Sequence, residues 1–295
     1  MNTEMKNKVN EILVNNNLDF RIEKERLLSA SGKQTPYFGL FNSKSGECIN
    51  SVKESYTVSQ NDEIVELVLR GMEGFGELSV SKAGSINGGR KVFIQLAIEG
   101  MAIVGDEKIK RYVTIIDSND GSTGLGVSIG ELVMSCQNQF YRFYKNSQSK
   151  LRHTASLTQR IKELPFLIET VLSENLRLTE TYRKFQSTEV TQKLADEMVK
   201  YLLGFDRNMS IKAESETSTR SLNMMNDLYG HISKETTQKG MNLFGLFSGV
   251  TSWTTHSKSA PRRENGREES LMIGNNYKTN NDAFEFVLNK MDLVM

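Results

Sequence analysis

An α+β fold, with an antiparallel β-meander packed on helices and followed by a helical extension, is what this sequence of 295 residues predicts. Three observations carry that reading. Between residues 77 and 129, apolar and polar residues alternate in short runs bounded by Gly, Asn and Asp, the signature of half-buried strands joined by tight turns. Within that region Asn87-Gly88 is the strongest hairpin signal in the chain. From Ser156 to Leu203 the apolar spacing lengthens to three and four residues, as an amphipathic helix requires. The chain divides accordingly into an α+β core over 1–150, a helical extension over 151–235 and a C-terminal segment over 236–295 that packs back on the core.

Taken in order, Val9, Ile12 and Leu13 share one face of a short helix from Glu4 to Val14, which Asn15-Asn16-Asn17 ends. Gln34 to Asn42 reads as a strand, Ser43 to Gly46 as a turn and Glu47 to Val52 as the returning strand. Ser59 or Asn61 can cap a helix whose first turn holds Asp62 and Glu63, where negative charge favours the helix dipole. Ile64, Val65, Leu67, Val68 and Leu69 give that helix a wide apolar face, and Gly71, Gly74 and Gly76 stop it. Glu77–Ala83, Arg90–Ile98, Lys110–Ile116 and Thr123–Ile129 are the strands of the meander. Gln139 to Tyr144 begins a helix after a Cys136-Gln137-Asn138 corner, where Asn138 satisfies backbone groups as strand gives way to helix. Pro165 kinks the following helix or separates two, and Thr188 to Leu203 forms another that Gly204 stops. Phe205 to Thr219 reads as a polar loop, Arg220 to His231 as a helix, and MNLFGLFSG as a glycine turn between packed elements. A mobile, basic loop then runs from Trp253 through Lys258, Arg262, Arg263 and Arg267, and Asn280 to Met291 closes the chain as a helix.

Composition narrows the function. Lys plus Arg (37) nearly balances Asp plus Glu (36), so no global positive field argues for nucleic acid and any such role must rest on a local patch. Two distant cysteines, Cys48 and Cys136, and three histidines do not make a zinc cluster, and isolated cysteines fit a reducing compartment. No apolar run is long enough for a signal peptide or a membrane span, which predicts a cytoplasmic protein. No cofactor is expected: Gly84-Ser-Ile-Asn-Gly-Gly89 lacks the Lys-Ser/Thr ending of a phosphate loop, and reads as a hairpin turn.

Candidate site residues fall into three groups. Basic and aromatic residues interleave from Phe140 to His153, a combination that neutralises phosphates and stacks bases. With the basic strand residues they outline a nucleic-acid groove of Arg90, Lys91, Lys110, Arg111, Arg142, Lys150, Arg152 and His153, with Tyr141 or Tyr144 stacking bases; the alternative is a helix with core aromatics and solvated cations. Asp117, Asn119 and Asp120 offer oxygen ligands to a divalent cation, or set the local turn through side chain–backbone bonds. Cys136 with His153 is the one conceivable nucleophile–base pair, set against two buried structural residues.

The segments SYTVSQNDEIVELV, AGSINGGRKVFIQLAI, YVTIIDSNDGST, VMSCQNQF and RHTASLTQRI, the Trp253-Thr-Thr run and GNNYKTNNDAF occur in this order. In these motifs the chain resembles the phage and plasmid-like protein family built on domain of unknown function 932, from about Pro36 to the C-terminus. The resemblance implies a bacteriophage or mobile-element origin, an α+β core and action inside the cell, the host cytoplasm for a phage protein; it brings no established chemistry. Three functions follow as expectations. The first is a non-catalytic accessory of recombination or replication that binds single- or double-stranded DNA, of single-strand annealing type because a helix, a meander and a long helix look like the core of annealing recombinases; a homo-oligomer fits this reading. The second is a protein that binds and inhibits a host defence complex. The third is an enzyme built on Cys136 and His153.

Overall fold

The computed structural model describes residues 3–72, 78–143, 150–204, 219–263 and 265–294. After a first helix α1 (Thr3–Asn15), strands β1 (Ile22–Leu28), β2 (Gln34–Asn42) and β3 (Cys48–Lys53) form a three-stranded antiparallel sheet in chain order. The hairpin expected from Gln34 to Val52 is present, and the segment before it adds β1. Helix α2 (Asn61–Met72) follows, with Asp62 and Glu63 in its first turn and Ile64, Val65 and Val68 buried. Gly74 and Gly76, read as helix stops, lie outside the described residues.

The meander is a seven-stranded antiparallel sheet of β4 (Leu78–Ile86), β5 (Lys91–Ile98), β6 (Ala102–Val104), β7 (Glu107–Ser118), β8 (Leu125–Val133), β9 (Gln139–Phe143) and β10 (Lys150–Leu151). Strands β4, β5, β7 and β8 are neighbours in that order, β6 prolongs the place of β5 beside β7, and β9 and β10 flank β8. At the β4–β5 turn Asn87, Gly88 and Gly89 all have positive φ, and a Cβ on Gly89 would fall 2.8 Å from the Phe20 ring. This turn seats the small sheet on the large one: Asn42 donates to the Gly88 carbonyl and Asn119 to that of Gly89, each at 3.2 Å.

One expectation fails here. Gln139–Phe143 is strand β9, not the start of a helix, so the Cys136-Gln137-Asn138 corner is a hairpin connection between β8 and β9. Both faces of β9 are covered, so its buried residues do not alternate and the period of a strand is hidden. Tyr144 and Lys145 lie outside the described residues.

Helices clothe the sheet unequally. On the first face Val92, Ile94, Val113, Ile115, Val127 and Ile129 join one continuous core with α2, α4 (Leu164–Ser187), α5 (Gln192–Leu203), α6 (Thr219–Lys239), α7 (Leu243–Ser252) and α9 (Asn275–Val294). The short α3 (Leu157–Arg160) and a 3-10 turn precede α4, whose first turn holds Pro165, so the proline separates two helices. Gly204 ends α5 in the left-handed conformation at φ 73°. On the second face a smaller cluster gathers Ile86, Phe93, Ile116, Tyr141 and Phe143 under Leu271 and Met272 of α8 (Gly266–Met272).

Helix α9 starts on this second face at Tyr277 and finishes on the first with Phe284, Val287 and Met291. In between it crosses the outer edge of β9, where Asn280 donates to the Gln139 carbonyl (3.4 Å) and Asn281 to that of Tyr141 (2.9 Å). These amides replace the neighbour strand that an edge otherwise lacks.

The C-terminal segment corrects two further expectations. MNLFGLFSG is not a turn: Asn242 caps α7 by accepting from the Gly245 amide, and Gly245 and Gly249 lie one helical turn apart facing α6. A Cβ on Gly249 would stand 2.5 Å from the Ile232 Cα, so only glycine allows the two helices to touch. The Trp253 segment is not a free loop either. It continues α7 as a π-helical turn, Trp253–Ser257, with Trp253 buried and its indole donating to Asp227 at 2.9 Å. The widened turn leaves the Thr254 carbonyl to accept from Arg267 (3.1 Å) and Asn276 (2.9 Å).

Gly249→Ala is expected to destabilise the protein by about 1–3 kcal/mol in urea denaturation, the usual cost of overpacking. A loss under about 0.5 kcal/mol, the range of surface substitutions, would contradict the close contact of α6 and α7.

Candidate functional site

The basic residues singled out in the sequence do not gather on one surface. Alternation along each strand sends Arg111, Asp117 and Glu131 to the helix-covered face and Lys91, Lys110 and Tyr141 to the opposite one. Arg111 is buried against Glu131, with Nε 2.6 Å from Oε1 and side chains 4 % and 3 % exposed. Thr179 accepts from the same guanidinium at 2.7 Å, and Tyr182 donates to the other Glu131 oxygen. Burial and the neighbouring Glu131 charge push the Tyr182 phenol well above its ordinary range, so it stays a donor.

Lys91 is equally enclosed, 2.6 Å from Asp120 and 3.0 Å from Glu269. Arg142 pairs with Glu285 at 2.9 Å and lies over the Phe284 ring. Arg90 donates to the Ile49 carbonyl, tying the turn to β3. Lys110 is half-buried with its ammonium 5.6 Å from the Tyr112 ring centre, and Arg152 is exposed. Lys150 is in β10, its side chain outside the described residues, as is Tyr144. Tyr141 is buried and donates to Gln139 while accepting from Gln95.

His153 is buried and stacked on Tyr56 at 4.9 Å. Its Nε2 lies 2.8 Å from Asp117 Oδ1 and its Nδ1 3.0 Å from the Thr57 carbonyl. Both partners only accept, so both ring nitrogens carry hydrogen and the imidazole is cationic. Burial alone would lower its pKa; the Asp117 hydrogen bond and charge and the Thr57 carbonyl outweigh that and raise it. Ser59 donates to the second Asp117 oxygen, which completes the carboxylate.

This geometry keeps the proposed Cys136–His153 pair apart. β10, just before His153, pairs with the start of β8, whereas Cys136 follows its end. Eight strand rises, about 27 Å, separate those ends. Cys136 instead has the buried Lys239 ammonium 3.3 Å from its sulfur, and Lys239 is paired with Glu235 and Glu107. Asn138 donates to Glu235 and to the Ser248 carbonyl, so it binds the hairpin to α6 and α7. In the acidic turn Asp117 serves His153, Asn119 serves Gly89 and Asp120 serves Lys91 and the Ser122 amide. Among the described residues no group of three His, Cys, Asp or Glu is placed to hold a metal ion.

A basic surface forms elsewhere. Residues 98–103, around the β5–β6 turn, and α4 border a groove of about 970 Å³ lined by Arg177, Arg183, Lys184 and the edge of Arg111, against Glu99 and Glu180. Lys110 lines an adjoining groove of about 500 Å³ on the other side of the turn. Met101 and Ile103 are about half exposed on the ridge between them. In the sequence the charges at 177, 180, 183 and 184 suit a solvated helix face or a packed helical pair; the signal is the spacing of seven between Arg177 and Lys184, two turns along one face.

Together these features define an α+β protein with a buried, charge-paired sheet and an open basic groove beside its long helix. The chain belongs to the family described as Domain of unknown function (DUF932), which it matches over residues 48–277. No curated protein matches the chain, and no solved structure does. Among the described residues no helix is long and apolar enough to cross a membrane.

His153→Asn leaves Asp117 buried without its cation and is expected to cost about 3 kcal/mol near neutral pH. Because the folded pKa is raised, the contribution is complete below the unfolded histidine value, about 6.5, and fades as pH rises through the folded value. Urea titrations of both proteins from pH 6 to 9 should show their difference shrinking towards alkaline pH; a difference that grows would contradict the cationic assignment.

Proposed function

We propose that this protein binds single-stranded nucleic acid along the groove between the β5–β6 turn and α4, as a non-catalytic accessory of phage or plasmid recombination or replication. The observation that carries this reading is the line of Arg177, Arg183 and Lys184 on one wall, with Lys110 beyond the turn. Three cations, Arg177, Arg183 and Lys184, face Glu99 and Glu180 in the larger groove, a local positive excess in a chain of net charge +1. Met101 and Ile103 place apolar surface where a base can lie once phosphates are seated. The helix, meander and long α4 also follow the order of elements that motivates an annealing role, an argument from analogy. Of the residues first outlined, Lys110 belongs to this surface, whereas contact through Lys91, Arg111, Arg142 or His153 would break buried pairs.

The second reading, a protein that blocks a host complex, draws on the same apolar ridge. Met101 precedes and Ile103 lies in the short strand β6, and exposed apolar residues at a strand suit a protein partner.

Fluorescence anisotropy with a labelled single-stranded oligonucleotide separates the two. Binding should weaken steeply with salt, and the combined Arg177→Gln, Arg183→Gln, Lys184→Gln variant should lower the slope of log K against log salt by about 2. No binding at low salt would overturn the nucleic-acid reading, and an unchanged slope would remove the groove from it. A single host protein recovered with the chain after nuclease treatment, and lost in Met101→Glu, would favour the second.

A further inference from the structure

Lys258, at the end of the π-helical turn, differs from the other lysines drawn into the fold. Lys91 and Lys239 are each paired with two carboxylates. Among the described residues no carboxylate forms an ion pair with Lys258. Its ammonium donates instead to the Thr279 hydroxyl of α9 and lies 5.1 Å from the centre of the Trp253 ring. The backbone fixes this placement: the Lys258 amide donates to the Trp253 carbonyl at 2.7 Å, and its carbonyl accepts from Arg267 at 2.6 Å. Thr279 gives its own proton to the Asn275 carbonyl at 2.9 Å, so its oxygen is left to accept from the lysine. The groove beside α4 shares none of these residues.

An ammonium held by a hydroxyl and an aromatic face, without a carboxylate, keeps its proton less firmly than one in water. Of the charged groups on the elements around it, Asp282 of α9 favours the ammonium, without ion-pair contact, and Lys278 is exposed. Asp227 of α6, 3.9 Å from His231, is taken by the Trp253 indole and the Ser257 hydroxyl. Arg267 of α8 serves the Thr254 and Lys258 carbonyls, and His256 in the turn itself faces the Cys136 carbonyl. Burial outweighs Asp282 and pushes the Lys258 ammonium down to about 8. Once neutral, the amine keeps a hydrogen for Thr279 and gains a free lone pair, which makes it a nucleophile. Its surroundings also suit a neutral product: a hydroxyl and a ring accommodate an amide, and no ion pair is lost with the charge. Lys258 is half-buried, so it retains an open side. We infer that Lys258 is an acylation site, its amine taking an acyl group from a thioester. The nitrogen attacks the thioester carbonyl carbon; the C–N bond forms, the C–S bond breaks, and the thiolate leaves with that electron pair. The proton shed by the nitrogen passes to the thiolate, giving an amide and a free thiol.

The test is incubation of the full chain with acetyl-coenzyme A at pH 7, 8 and 9, with acetylation at each lysine followed by peptide mass spectrometry. At pH 7 Lys258 should react about tenfold faster than the exposed Lys6 and Lys33. Its larger share of neutral amine, roughly a hundredfold, is offset in part by its lower basicity. Its rate should level off above about pH 8, while theirs keep rising to pH 9. Thr279→Val, which withdraws the hydroxyl from the ammonium, should move that plateau to lower pH. The triple α4 variant should be acetylated at Lys258 as the parent is. Lys258 reacting no faster than Lys6 and Lys33, a rate that rises in step with theirs to pH 9, or a plateau unmoved by Thr279→Val overturns the proposal.

Discussion

Two charges enclosed in an apolar core persist when they are paired and hydrogen-bonded, and Arg111 with Glu131 sets that condition on the whole helical layer. The pair joins β7 to β8, while Thr179 and Tyr182 reach it from α4. Tyr182 in turn packs against Phe185, Phe244, Phe247 and Phe284, so α7 and α9 take their places around the same ring. Removing either charge would strand the other in low dielectric, which costs far more than the pair gains over apolar side chains. Its effect is therefore positional: the helix must sit in one register over the strands. A one-residue slip of β7 would turn Arg111 away from Glu131 and expose Val113 and Ile115 together.

The same logic explains why polar residues that look chemical in the sequence act structurally. Asp117, Asn119, Asn138, His153, Trp253, Asn276 and Asn280 are all buried, and each makes a side-chain hydrogen bond to a partner distant in sequence. A fold that carries buried polar groups must satisfy them one by one, so the residue types at these places are narrowly prescribed. The Asp117–His153–Ser59 cluster resembles a hydrolytic triad in composition alone. Its histidine is held in the charged form by a carbonyl and a carboxylate, and an imidazole with both nitrogens protonated cannot take a proton from a nucleophile.

Much of the architecture was legible because local physics specifies it. The β4–β5 hairpin follows from Asn87-Gly88 and from alternation in Arg90–Ile98, and α5 follows from its period and from Gly204. Reading failed where burial is two-sided or polar. β9 has aromatics on both faces and mimics a helix; the Trp253 turn and α8 are rich in Ser, Thr, Arg and Glu and mimic a loop, although much of their polar surface is enclosed. The candidate site was less legible than the fold. Whether a cation is enclosed in a buried ion pair depends on partners the sequence separates widely: Glu131 lies 20 residues from Arg111, and Glu285 lies 143 from Arg142. Conversely, Arg177, Arg183 and Lys184 became a surface only when the β5–β6 turn was folded opposite them.

The asparagines that α9 lays along β9 have a consequence for assembly. With the carbonyls of Gln139 and Tyr141 already occupied, no strand from another molecule can extend the large sheet on that flank. At the far flank β4 pairs with β5 on one side only. Large sheet joined to large sheet at that flank gives a two-fold pair, β4 against β4. Closed rings or filaments of this protein would draw instead on the small sheet, helices, loops or a bound strand of nucleic acid.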